Sequence, residues 1–163
     1  MVGRILERFC TGLRVLIGVM TFALAIPVAA QVIARYTGII PVYLWTEELA
    51  TFIFVWIVMI GSMIAVWDGT HFNVEVMPTA KSPLGSLLQQ GFVLILLILF
   101  GLMFAWYGIE YTKFGGIQHS VMLGANMAWT HVSVPIAGLV WAIFAGYRLS
   151  EVIADYRQSG NSA

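Results

Sequence analysis

Four long apolar runs alternate with short links, and every formal charge falls in those links or at the two ends of the chain. The sharpest run lies between Glu48 and Asp68, where the 19 positions of 49–67 carry no formal charge. At the helical rise of 1.5 Å per residue such a run covers about 28 Å, close to the hydrocarbon thickness of a bilayer. Soluble buried helices are rarely both this long and apolar on every face, so the pattern predicts a membrane span. Glu47 and Glu48 stand at its start, where the helix dipole is positive and headgroups or water still solvate a carboxylate. Trp67, Asp68 and Gly69 mark its far end.

The same logic places a first span over 15–34, bounded by Arg14 and Arg35, a third over about 90–109, closed by Glu110 and Lys113, and a fourth over 127–147, stopped by Arg148. Pro27 and Pro135 fall inside the first and fourth spans. Proline removes a backbone hydrogen bond, a defect membrane helices tolerate when neighbours cover the freed carbonyl. Thr21, Ala25 and Ala29 recur at every fourth residue, either as a face for close helix approach or as ordinary apolar filler. Gly101 and Ala105 form a second such pair, and Gly138, Ala142 and Gly146 align on the fourth span. The link 36–45, with Gly38 and Pro41, reads as a short interfacial segment whose Tyr36, Tyr43 and Trp45 suit headgroup depth. Residues 115–126 read as a glycine-rich loop, and 148–163 as a tail that extends the last helix before fraying.

These elements define an all-α integral membrane protein, one membrane domain over 1–163. Four spans put both termini on one side. Arg4, Arg8, Arg14, Lys81, Arg148 and Arg157 gather there or in the second loop, against Arg35 and Lys113 opposite. The positive-inside rule therefore predicts cytoplasmic termini, N-in and C-in. The apolar run after the basic N-terminus is a full span without a small-residue cleavage site, so it reads as a retained helix.

Composition sharpens the class. Hydrophobic residues make up 60% of the 163 positions and charged residues 10%, where soluble proteins carry about a quarter charged. The formal charge is zero, with no basic stripe for nucleic acid. Cys10 is the single cysteine, which excludes an internal disulfide and a multi-cysteine metal site; it reads as a small apolar residue.

The chemistry of a self-contained pump is missing. Carriers place ionisable groups or broken helices at mid-membrane depth, whereas here only His131 is ionisable near the apolar core. Beside Trp129 and Thr130 it reads as an interfacial or hydrogen-bonded histidine rather than a proton relay. His71 and His119 fall in loops on opposite sides, so no pair faces a haem, and Asp68, His71 and Glu75 are a weak metal signal in a turn. No hydrolase, zinc-protease or nucleotide motif is present. The expectation is no catalytic residue, no cofactor and no metal, with function residing in surfaces that meet other membrane helices and the bilayer. Glu47 and Glu48 could pair with Arg35 or with a basic residue of a partner. Compact exporters and redox-enzyme membrane anchors are the alternatives. The exporters place a glutamate inside their first span, which this chain lacks, and an anchor would show a haem band.

Trp45, Glu47, Glu48, Phe54, Trp56, Gly61 and His71, in the order W-x-E-E, F-V-W, G and H-F, resemble the signature of the small membrane subunit of tripartite ATP-independent periplasmic (TRAP) transporters. The resemblance extends to Arg35-Tyr36 at the end of the first span and to VSVPIAG around Pro135. Asp68 departs from it, standing where such proteins often carry a basic residue. The resemblance implies a multi-pass protein of a bacterial or archaeal inner membrane that scaffolds a large multi-span subunit. It further implies sodium-coupled uptake of a carboxylate, such as a C4-dicarboxylate, a sugar acid or a keto acid, delivered by a periplasmic binding protein. Structural or interfacial roles follow for Arg35, Trp45, Glu47, Glu48, Trp56, Gly61, His71 and Pro135.

Overall fold

A computed structural model describes residues 2–37, 43–69 and 83–161. Its helices are α1 (Val2–Thr37), α2 (Leu44–Asp68), α3 (Pro83–Ile117), the single turn α4 (Ala128–His131) and α5 (Ser133–Asn161). Four of them, with α4 and α5 counted as one, are long and apolar enough to cross a membrane. The helices outrun the uncharged runs because charge ends the hydrocarbon segment, not the helix. Residues 2–14 stay helical with Leu6, Cys10 and Leu13 continuing one inward face at spacings of three and four. At the other extreme α3 passes Glu110 and Lys113, which pair at 2.8 Å across one turn. It ends only at Ile117, so Gly115, Gly116 and Ile117 are helical where the sequence suggests a loop.

In packing order α1 lies on α2, α2 on α5, and α5 on α3, so helix neighbours do not follow chain order. The α1 face toward α2 runs through Cys10, Leu13, Ile17, Met20, Leu24, Pro27, Gln31 and Ala34, all buried or half-buried. Thr21, Ala25 and Ala29 are exposed. Among the described residues, that small-residue face packs against no helix of this chain. Gly61 belongs to the α1–α2 contact, since a Cβ there would stand 3.3 Å from Ile17 Cδ1.

The α3–α5 seam is tighter. A Cβ on Gly101 would meet Gly138 O at 2.7 Å, and one on Gly138 would meet Gly101 O at 2.5 Å and Ala105 N at 2.7 Å. Farther along, Gly108 leaves room for the Pro135 ring, whose Cδ and N would lie 2.8 Å from an added Cβ. Gly115 lies under the His131 ring. Gly146, in contrast, has nothing within 4 Å of an added Cβ and takes no part in the seam. Side-chain bulk gathers beyond the glycines, where Met63, Val66, Ala137 and Phe144 form a buried cluster flanked by Trp67 and Trp141. Trp141 donates its Nε1–H to Ser62 Oγ at 3.2 Å, tying α5 to α2.

At the end of α2, Gly69 adopts φ +69° and donates its N–H to Ala65 O at 3.0 Å. This left-handed cap satisfies a carbonyl the helix leaves free. Arg14 of α1 pairs with Asp68 beside it, while the Arg148 guanidinium lies over Gly69. Asp68 thus has an internal basic partner. Gly69→Ala should destabilise the folded chain by about 1–2 kcal/mol, the cost of a side chain in the left-handed region. The Arg148 head is the far end of a flexible side chain and can move aside. Denaturant titration in detergent measures the loss, and unchanged stability would mean that the cap relaxes freely.

Candidate functional site

The site lies where α2 begins. Residues 118–127 form a small hairpin in which Ser120 N–H donates to Ala125 O at 2.8 Å and Met127 N–H to Gln118 O at 3.0 Å. His119 and Asn126 make an antiparallel bridge, and Gly124 turns the chain at φ +63°. Asn126 secures both sides: its Nδ2 donates to Gly116 O at 3.0 Å, and its Oδ1 accepts from Ala128 N at 2.8 Å in a local turn that leads into α4. The tip meets Glu48. Its carboxylate accepts hydrogen bonds from Ser120 Oγ, from Met122 N at 3.1 Å and from Leu123 N at 2.9 Å. Bonds to an ionised acceptor are stronger than neutral ones, so Glu48 clamps the hairpin against α2.

The clamp builds an open groove of about 650 Å³. One wall is a single face of α2, formed by Leu44, Glu47, Glu48, Thr51 and Phe52 at helical spacing; the other is the hairpin, from Gln118 to Met122, with Met127. Glu47 is exposed, and its carboxylate has no ion pair or hydrogen bond among the described residues. The two glutamates, adjacent in sequence, therefore differ in kind: one is committed to the hairpin and the other is available at the rim.

Arg35 stands exposed in the last turn of α1, where a cation suits the helix dipole. Among the described residues no ion pair joins it to Glu47 or Glu48; the partner of Glu48 is the hairpin. Trp45 lies at the exposed start of α2 with its ring 6.3 Å from that of Tyr43. Trp56 donates its Nε1–H to Trp129 O at 3.1 Å and so fastens α4 to α2. Pro135 fills the space left by Gly108. His71 lies outside the described residues, as do Glu75 and residues 38–42 of the first link. Glu48 and Trp56 thus share the region around the hairpin and α4, whereas Gly61 serves the α1–α2 contact.

His131 is buried, with Nδ1 donating to Met127 O at 2.6 Å and its ring edge-on to Tyr111 at 4.0 Å. This is the hydrogen-bonded histidine that its neighbours Trp129 and Thr130 suggest. No group of three or more His, Cys, Asp or Glu side chains converges among the described residues. Ser120, Met122 and Leu123 carry no sequence signal for their role, because two of the three donors are backbone N–H groups that almost any residue supplies. Gly108 and Gly115 were findable: they continue the Gly101–Ala105 face at further helical spacings.

Four helices long and apolar enough to cross a membrane, with Glu48, Trp56 and His131 bonded to groups of this same chain, define a multi-pass helical membrane protein. The chain belongs to the DctQ component family of the tripartite ATP-independent periplasmic transporters, whose family model matches residues 24–155. It is thus a small permease subunit of a TRAP transporter. A search of curated proteins returns no match.

Proposed function

We propose that this subunit scaffolds the large membrane subunit while the latter's transport domain moves, in sodium-coupled uptake of a carboxylate handed over by a periplasmic binding protein. The complex would lie in the inner membrane of a bacterium or archaeon, with the termini of this chain cytoplasmic and 1–163 acting as one membrane domain. One observation carries the scaffold reading. Glu48 is engaged by the hairpin and His131 by Met127 O, while long apolar faces of α1 and α3 lie uncovered among the described residues. Phe22 is 76% exposed and Trp106 73%. Such surfaces suit lipid and partner helices, not a solute path.

A C4-dicarboxylate, a sugar acid and a keto acid are the substrates to test. Vesicles holding this chain alone should accumulate none of them. With the large subunit and binding protein added, a sodium gradient should drive uptake of the matching acid. Equal uptake when this chain is omitted would reject the scaffold role, and uptake by this chain alone would reject the subunit reading altogether.

A further inference from the structure

We infer that the groove beside Glu47 seats an amphipathic segment of the large membrane subunit, with a lysine or arginine of that segment meeting the Glu47 carboxylate. The inference rests on the scaffold reading and specifies one of its contacts. Charge complementarity identifies the occupant. Glu48 is consumed by the hairpin, so Glu47 is the acid the groove offers, at the rim of walls that include Leu44, Phe52, Val121 and Met122. Leu44 is 54% exposed and Val121 85%, so each wall offers apolar surface near the acid, the hairpin wall beside the polar Gln118 and His119.

Depth narrows the choice. Phe52 lies four residues beyond Glu48, about 6 Å farther along the helix, inside the uncharged run. An occupant that fills the groove must present apolar surface at hydrocarbon depth and a cation at the polar edge. That is the profile of a membrane-helix end whose long basic side chain reaches outward. A soluble binding protein can touch the hairpin tip but cannot reach Phe52 without entering the bilayer.

The test uses the assembled complex with Phe52 replaced by the photoreactive p-benzoylphenylalanine. Irradiation should give an adduct between this chain and the large subunit. Glu47→Lys should lower that adduct about tenfold, since like charges opposed across an interface are strongly disfavoured; Glu47→Gln should lower it less. Protection of the Met122 and Leu123 amides should persist in both variants, certifying an intact groove, and Glu47→Gln decides the matter if Glu47→Lys disturbs it. An adduct with the binding protein, an adduct with lipid alone, or a yield indifferent to both substitutions would overturn the inference. Failure of the unsubstituted chain to co-purify with the large subunit would instead overturn the scaffold reading.

Discussion

Gly138→Val should cost about 3 kcal/mol and loosen α3 from α5, the upper part of the usual range for forcing bulk into a packed interior. The reason is that the obstacle is backbone. An added Cβ would stand 2.5 Å from Gly101 O and 2.7 Å from Ala105 N, and neither can swing aside as a side-chain tip would. Replacing a helical glycine normally gains about 0.5–1 kcal/mol through reduced chain entropy, too little to offset the clash. Gly146→Ala supplies the internal comparison, because a Cβ there has nothing within 4 Å; it should leave stability unchanged or slightly raised. Unfolding in mild detergent, followed by tryptophan fluorescence, separates the two. If Gly138→Val proves as mild as Gly146→Ala, the helices part without penalty and the seam does not depend on a glycine at 138.

The second large effect is expected at Glu48. In Glu48→Gln the side chain keeps its shape but loses its charge and one acceptor oxygen, and it turns an N–H₂ toward donors that need acceptors. Exchange of the Met122 and Leu123 amides should accelerate about tenfold, the scale of losing a charge-assisted hydrogen bond. Uptake by the assembled complex should fall while membrane insertion stays normal. Glu47→Gln should leave those two amides protected, and Glu47→Gln combined with Glu48→Gln should lower uptake further. Unchanged transport in the double variant would reduce the pair to a solvated cap on the start of α2. Equal amide effects from the two single variants would contradict the division of labour between the neighbours.

That division shows where sequence reasoning stopped. Reading Glu47 and Glu48 as a pair at a helix start is correct as far as position goes. A helix turns about 100° per residue, however, and what each carboxylate meets depends on an element more than 70 positions away in the chain. The hairpin around Ser120 and Gly124 has the glycine and polar content of a loop, but its approach to α2 leaves no periodic trace. The small residues behave differently. Gly101, Ala105 and Gly138 stand out as close-approach positions from spacing alone, whereas spacing alone would also admit Gly146 and the Thr21–Ala25–Ala29 face. Only the packed structure shows that, among the described residues, Gly146 has open space beside it and Thr21, Ala25 and Ala29 are exposed.

Membrane spanning was legible because it is a local property. The cost of placing charge in hydrocarbon is met residue by residue along each run, so composition and length suffice to predict four membrane helices and their approximate edges. The ends of the helices were less legible, since backbone hydrogen bonding continues past the charged residue that ends the apolar layer, as α3 does beyond Lys113. Pairing α3 with α5, engaging Glu48 with the tip of the hairpin and leaving Glu47 at the rim of a groove were decided by tertiary structure. These depend on which faces meet across long stretches of chain and on backbone donors that no side-chain pattern encodes.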